Sequence, residues 1–143
     1  MQAALEPLVQ KYYVDLALWG HIHMYERTVP ISHNGTRPSH GEHGTVHVVI
    51  GKYIVSKLDA TRYLLRNISM NAGNAGHEFQ VTWKNQTTDD EGLPAWMAFR
   101  SHMFGVSTIR ATSRELNFTC FTSQEGGVLD TFTISADDQV FRR

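Results

Sequence analysis

The chain has 143 residues, of which 41% are hydrophobic and 19% are charged, and its formal net charge is −1. This length fits a single domain, and the hydrophobic content is sufficient for a buried core, which excludes wholesale disorder. The near-neutral charge gives no basic surface for nucleic acid, and no apolar run reaches the ~20 residues that span a bilayer. We therefore expect no nucleic-acid partner and no membrane partner.

An amphipathic helix is predicted over residues 3–13, where apolar side chains recur at helical spacing. Residues 14–19 follow directly as a short apolar strand, and their near-continuous apolar run is typical of a strand covered on both faces. Gly20 ends this strand. Residues 45–50 form a second apolar, β-branched strand, and the Gly- and Pro-containing residues 28–44 are predicted to be a loop.

The second half of the chain is predicted to change from turns to strands. Residues 71–95 are polar and rich in Gly and Asn, which is typical of turns and loops. Segments 104–112, 115–122 and 127–135 are β-leaning and are separated by turn residues. Their spacing predicts an antiparallel meander that closes the domain.

Four Asn-x-Ser/Thr sequons predict a secretory history, because chance would supply about one. These N-glycosylation sequons begin at Asn34, Asn67, Asn85 and Asn117. The N-terminus has neither a positively charged region nor an apolar core, so it does not resemble a signal peptide. We therefore expect a full-length protein that is secreted, extracellular or vacuolar, and we expect this chain to lack its N-terminal part.

The single cysteine and several histidines are predicted to have structural roles. Cys120 has no second cysteine to pair with in this chain, and its apolar neighbours indicate a small buried hydrophobe. His47 lies within a predicted strand, where packing or hydrogen bonding is expected. His40 and His43 lie in a Gly-rich stretch, and solvated loop residues are a better interpretation there than adventitious metal ligands.

The strongest chemical pattern is Gly20-His21-Ile22-His23-Met24-Tyr25-Glu26-Arg27. His21 and His23 follow an apolar strand, and in extended backbone residues two apart project to the same side. Ligands bind at the carboxyl ends of strands in open α/β sheets, and neutral imidazole binds zinc-, iron- and manganese-type metals. Glu26 is placed to orient an imidazole, and Arg27 to pair with a carboxylate or phosphate oxygen. Taken alone, His-x-His also fits two histidines that only hydrogen-bond within a loop.

Residues 15–27 resemble the last metal-binding motif of purple acid phosphatases, which is an apolar strand, Gly-His-x-His, one residue and Tyr-Glu-Arg. Residues 44–51, 96–105 and 126–132 resemble later segments of this family in the same order. The chain is therefore identified as similar to the C-terminal part of purple acid phosphatases, within the calcineurin-like metallophosphoesterase superfamily. This resemblance implies an α/β (α+β sandwich) fold. Residues 1–143 would form the C-terminal portion of a four-layer αββα sandwich that ends in an antiparallel β meander.

The resemblance also implies an acid phosphatase that hydrolyses phosphate monoesters at a dinuclear centre of Fe(III) with Zn(II), Mn(II) or Fe(II). In that centre His21 would bind the divalent metal and His23 the ferric ion. Tyr25, Glu26 and Arg27 would support the site without binding metal. The family's other ligands lie upstream of the segment that begins here, so we expect the isolated chain to be catalytically weak or inactive.

Three alternatives stay open from the sequence, and one of them is that the chain is an inert remnant that does not fold. The chain could be a short non-catalytic protein that binds a metal or a partner through His21 and His23. It could also come from another metallophosphoesterase branch, the phosphodiesterases or nucleotide pyrophosphatases, which share Gly-His-x-His. The Tyr-Glu-Arg string and the Trp-x-x-Phe-Arg string of residues 96–100 favour the acid phosphatase branch.

Residues 52–69 interrupt the resemblance. The family passes almost directly from the strand at residues 45–50 to a Gly- and Asn-rich segment, whereas this chain inserts a net basic stretch. We expect an in-frame unspliced intron, with a genuine surface insertion as the rival interpretation, since loops tolerate insertions at small entropic cost.

Overall fold

The computed structural model describes residues 2–20, 22–32, 36–39, 42–50, 53–55, 68–74, 94–123 and 126–136, with backbone alone at residues 2–3, 53–55 and 68–74. The element order is α1 (Gln2–Lys11), β1 (Leu16–Trp19), β2 (Tyr25–Thr28), β3 (Val46–Val49), β4 (Tyr53–Val55), β5 (Ile68–Asn74), β6 (Met97–Ser101), β7 (Gly105–Ala111), β8 (Glu115–Thr122) and β9 (Val128–Ser135). These strands form two sheets, with orders β1-β3-β2-β6 and β4-β5-β7-β8-β9.

The predicted first helix ends at Lys11, because Tyr13 adopts a left-handed φ of 49°. The Tyr13 N–H donates to Gln10 O at 3.1 Å, and the Val14 N–H donates to Val9 O at 3.0 Å. This pair of bonds is the Schellman arrangement that closes helix ends. The turn directs the chain into β1, which begins at Leu16 and ends at Trp19.

The four-stranded sheet combines one parallel and two antiparallel pairs. β1 lies parallel to β3, with Trp19 opposite Val49, and β3 lies antiparallel to β2. β2 pairs in turn with β6, and the sequence patterns predict neither of these two strands. Because β3 lies between β1 and β2, the chain leaves β1 after Trp19 on one side of β3 and enters β2 at Tyr25 on the other. At ~4.8 Å per strand spacing, this connection spans about 10 Å.

The five-stranded sheet confirms the predicted meander, because β7, β8 and β9 are consecutive antiparallel neighbours. The prediction of turns at residues 71–74 is wrong, because these residues lie in β5, between β4 and β7. Backbone pairing on both edges overrides the low β-propensity of Asn and Gly. Residues 53–55 and 68–69 of the predicted insertion lie in β4 and β5, and residues 56–67 lie outside the described ranges. The origin of this insertion stays a prediction.

The hydrophobic core lies between the two sheets, where strand alternation directs apolar side chains inward. Its buried members are Tyr25, Val46, Val48, Ile50, Ile109, Phe118, Cys120 and Ile134, with Leu16, Leu18, Phe99 and Phe132 packed against them. Full burial of one such apolar side chain contributes about 1.5–3 kcal/mol. Cys120 is 0% exposed and free, which confirms the prediction of a small buried hydrophobe.

The described elements form a mixed α+β fold of one helix and two sheets, as expected for the predicted sandwich. In the described part of the chain, no helix combines the length and the apolar character that crossing a membrane requires.

Candidate functional site

The connection between β1 and β2 carries the predicted metal ligands. It lies at the carboxyl ends of the parallel strands β1 and β3, the position where open α/β sheets bind ligands. His23 is half-buried at the centre of a three-residue turn, in which the Met24 N–H donates to Ile22 O at 3.0 Å. The backbone there is bent, which differs from the extended geometry assumed from the sequence. His21 lies outside the described residues, so its relation to His23 stays a prediction.

The described residues do not by themselves supply the ligands of a metal centre. Among the residues whose side chains are described, no group of three or more His, Cys, Asp or Glu could hold a metal ion. Zinc sites use about four ligands and larger cations use more. His23 therefore fits a metal centre only as one contributor, with other ligands supplied from elsewhere.

A buried carboxylate, Asp130 of β9, ties β2 to the other sheet. The Tyr25 hydroxyl donates to Asp130 Oδ2 at 2.6 Å. Arg27 Nε donates to the same oxygen at 2.7 Å, and Arg27 Nη2 donates to Oδ1 at 3.0 Å. Asp130 is 9% exposed, and Tyr25 is fully buried. Burial, reinforced by Asp130, raises the pKa of the Tyr25 phenol far above its ordinary value, so the phenol stays a hydrogen-bond donor.

Aromatic packing completes this cluster. The Arg27 guanidinium lies over the Phe132 ring, 4.9 Å from its centroid. Burial opposes the charge of Arg27, but the hydrogen bonds and the charge of Asp130 raise its pKa above the ordinary value. Of the two partners predicted for Arg27, a carboxylate or a phosphate oxygen, the structure contains the carboxylate. The roles of Tyr25 and Arg27 in supporting a metal stay predictions.

Asp130 was not identified as a site residue from the sequence. A local signal existed, because Asp130, Phe132 and Ile134 are spaced two apart on β9 and therefore lie on the same, core-facing side of the strand. A charged residue on the apolar side of a strand requires a buried partner. The partner itself, more than 100 positions away in sequence, has no local signature.

Glu26 lies on the opposite face of β2, across from Arg100 of β6. Burial raises the pKa of Glu26, and the nearby charges of Arg100 and His102 oppose this effect. His102 is therefore one imidazole close to Glu26. Whether Glu26 also orients His21 or His23, as predicted from the sequence, stays a prediction.

His47 confirms its predicted structural role. The Trp19 Nε1–H donates to His47 Nδ1 at 2.9 Å, and the two rings are nearly parallel, with centroids 5.7 Å apart. Burial lowers the pKa of His47, while the charge of Glu6 opposes this effect. Because Nδ1 accepts this hydrogen bond, the neutral form of the ring carries its proton on Nε2.

His43 differs from its predicted role as a solvated loop residue. It is half-buried, its Nε2 lies 3.0 Å from Val14 O, and its ring contacts the Tyr13 ring edge-on. The helix end at Tyr13 provides this contact, which the Gly-rich local sequence does not indicate. His40 lies outside the described residues.

One of the four predicted glycosylation residues, Asn117, lies in the described part of the chain. Asn117 and Thr119 alternate with the buried Phe118 on β8, so both lie on the outer face of the five-stranded sheet. Asn117 Oδ1 accepts a hydrogen bond from Thr133 Oγ1 at 2.7 Å. The side-chain amide nitrogen of Asn117 takes no part in this bond. Asn34, Asn67 and Asn85 lie outside the described residues.

Comparison with known proteins gives three concordant findings. The family described as iron/zinc purple acid phosphatase-like protein C matches residues 68–131. A nucleotide pyrophosphatase/phosphodiesterase of Hordeum vulgare is 30% identical over 141 residues, which cover 94% of this chain and 30% of that protein. A protein of Arabidopsis thaliana named probable inactive purple acid phosphatase 27 is 31% identical over 138 residues, which cover 92% of this chain and 18% of that protein.

A solved structure is similar as well. The purple acid phosphatase from yellow lupin (Lupinus luteus) seeds superposes with a TM-score of 0.59 at 30% identity, over 96% of this chain and 20% of that chain. The chain thus spans less than a third of the length of these relatives. The similarity confirms the predicted resemblance and the predicted fold class, and this chain is therefore a relative of the C-terminal part of purple acid phosphatases.

Proposed function

We propose that this chain forms the C-terminal part of a metal-dependent phosphate ester hydrolase, to which it contributes His21 and His23. The observation that carries this proposal is that β1 and β3 both end, and β2 begins just after His23, at the same edge of the sheet. The start of β2 is held there by Asp130 of the opposite sheet. The family relationship supports the same site, and residues outside this chain would provide the remaining ligands.

The proposed centre holds Fe(III) with Zn(II), Mn(II) or Fe(II), and when bound it supplies Lewis-acid activation of a phosphate ester. His21 is assigned to the divalent position and His23 to the ferric position. Tyr25 and Arg27 hold the strand that follows His23, and Glu26 lies on the opposite face of that strand. The preferred substrate class is a phosphate monoester, and the protein is assigned to the secretory pathway.

A second candidate function is hydrolysis of a phosphodiester or a nucleotide pyrophosphate bond. The barley relative favours it, because its name describes that activity and it matches 94% of this chain. A third candidate is a non-catalytic metal- or partner-binding protein, which the Arabidopsis relative named probable inactive favours. All three candidates use His21 and His23, and they differ in which substrate, if any, is hydrolysed.

The test compares the full-length gene product with the 143-residue chain. Metal content is measured by mass spectrometry, and turnover is measured with p-nitrophenyl phosphate, bis(p-nitrophenyl) phosphate and ATP. We expect two metal ions and a preference for the monoester in the full-length product, and neither metal pair nor turnover in the isolated chain. The substitutions His21→Ala and His23→Ala should each remove metal and turnover, whereas His40→Ala should change neither.

Each alternative has its own outcome. Preference for the diester or for ATP would select the second candidate, and bound metal without turnover on any substrate would select the third. Two metal ions and full turnover in His23→Ala would overturn the assignment of His23. Turnover by the isolated chain close to that of the full-length product would overturn the need for ligands from elsewhere.

A further inference from the structure

We propose that Asp130 is a positioning residue for the connection at residues 20–24, and that it acts on His23 through Tyr25 and Arg27. This inference rests on the proposed function, because it assigns His23 to a metal centre. Asp130 lies on β9 of the five-stranded sheet and contributes no atom to the connection itself. Its effect would therefore be indirect, through the strand that follows His23.

Three donors converge on the Asp130 carboxylate from one face of β2. The Arg27 guanidinium makes a two-point contact through Nε and Nη2, and this planar geometry fixes its orientation. The Tyr25 hydroxyl adds a third contact at 2.6 Å, from the first residue of the strand. Together these contacts fix both the position and the rotation of β2 where it begins.

Packing alone does not require this charged cluster. The two partners of the carboxylate pack against aromatic rings, Tyr25 against Phe118 and Arg27 against Phe132, and Asp130 itself lies opposite the buried Cys120 of β8. Apolar side chains of similar volume often replace a buried ion pair without loss of stability. What such a replacement loses is directional geometry, so we assign Asp130 a role in fixing geometry rather than in adding stability.

The backbone between Tyr25, which Asp130 holds, and His23 is short and constrained. Met24, the single residue between His23 and Tyr25, is 2% exposed and donates to Ile22 O in the turn centred on His23. A displacement of Tyr25 would therefore move the His23 backbone. The other end of the connection is held by β1, where Trp19 O accepts a hydrogen bond from the Ile50 N–H at 2.9 Å.

The test uses the full-length gene product and two readouts. Competition with a chromophoric chelator measures the dissociation constant for Zn²⁺, an ion that imidazole binds. Amide hydrogen exchange of the peptide covering residues 20–27 in the metal-free protein measures how firmly the connection is held. The first variant is Asp130→Asn, which removes one acceptor and the negative charge.

Two further variants separate positioning from stability. The triple replacement Tyr25→Phe, Arg27→Met, Asp130→Leu exchanges the polar cluster for apolar side chains. Because it leaves no unpaired buried charge, this variant should stay folded. The matched control is Thr45→Val, because Thr45 is also fully buried and donates through Oγ1 to Val14 O at 2.7 Å. Thr45 lies at the opposite end of β1 and β3 from the connection.

We expect Asp130→Asn and the triple variant to weaken Zn²⁺ binding by about 10–100-fold and to accelerate exchange over residues 20–24. The control should leave both readouts unchanged. Tight Zn²⁺ binding by the unmodified protein, combined with unchanged affinity and exchange in the triple variant, would overturn the positioning role alone. Failure of the unmodified protein to bind Zn²⁺ would overturn the proposed function, and this inference with it.

Discussion

The Arg27 guanidinium and the Asp130 carboxylate meet in a two-point contact, with N–O distances of 2.7 and 3.0 Å, although 103 positions separate them in sequence. Removing one partner of a buried pair leaves an uncompensated charge, which typically costs about 3–5 kcal/mol. We expect Asp130→Ala to lower the free energy of unfolding by that amount. Tyr25→Phe should cost less, because it leaves the ion pair intact. Denaturant titration of both variants checks this order, and equal losses would contradict it.

The burial of His47 predicts a pH dependence of stability. Because burial lowers the pKa of His47 in the folded protein, the unfolded chain binds more protons as the pH falls below about 6.5. This contribution to stability is therefore fully present above that pH and is lost as the pH falls towards the folded pKa. NMR titration of His47 gives the folded pKa directly.

The matched variant for this prediction is Trp19→Phe. It keeps an aromatic ring beside His47 but removes the donor that occupies Nδ1, the atom a second proton would need. We expect the pKa of His47 to rise towards its ordinary value in this variant. The pH dependence of unfolding should weaken accordingly, and an unchanged His47 titration would show that burial alone sets the shift.

Cys120 predicts a slow, unfolding-limited reaction with thiol reagents. The side chain is 0% exposed, and burial raises the pKa of its thiol, so both access and thiolate formation are suppressed. We expect negligible labelling by a dinitrobenzoate disulfide reagent in native conditions and one reacted thiol in denaturant. Rapid labelling of the native protein would contradict the position of Cys120 in the core.

Asn117 predicts one N-linked glycan on the outer face of the five-stranded sheet. This face is opposite the core, so a glycan there would not disturb Phe118 or the packing between the sheets. Secretion from a eukaryotic host followed by glycosidase treatment should show a mass shift that Asn117→Gln reduces by one glycan. Thr133→Ala serves as the control, since it removes the hydrogen bond to Asn117 and keeps the sequon. Equal glycan number in Asn117→Gln and the unmodified protein would exclude this site.

Residues 52–69 predict a difference between the gene and the native protein. If they are an unspliced intron, peptide mapping of the natural protein should recover no peptide over residues 57–66. Recovery of such a peptide would exclude the intron and select the surface insertion.

The strands of the meander could be predicted because each one follows the other with turn residues between them, so local pattern and tertiary pairing agree. β5 could not, because its Asn and Gly residues favour turns and only the neighbouring β4 and β7 make it a strand. The start of the helix and the burial of Cys120 are likewise local properties that the sequence indicates.

Only the histidine part of the candidate site could be predicted from the sequence. The histidine motif is contiguous in sequence, whereas its link to Asp130 joins two sheets across more than 100 positions. The edge contact of His43 with Tyr13 was missed for the same reason, because it depends on where the helix ends in space. Non-local contacts of this kind follow from the fold rather than from any spacing of residues.

The insertion of β3 between β1 and β2 has a consequence for how the protein folds. β1 and β2 are adjacent in sequence, yet neither has its partner until residues 46–49 are present, and β2 also awaits β6 at residues 97–101. Sheet assembly therefore requires closure of long loops before its hydrogen bonds form, a topology of high contact order that slows folding. During synthesis the histidine connection would emerge before the strands that hold it and be fixed last, when β9 delivers Asp130.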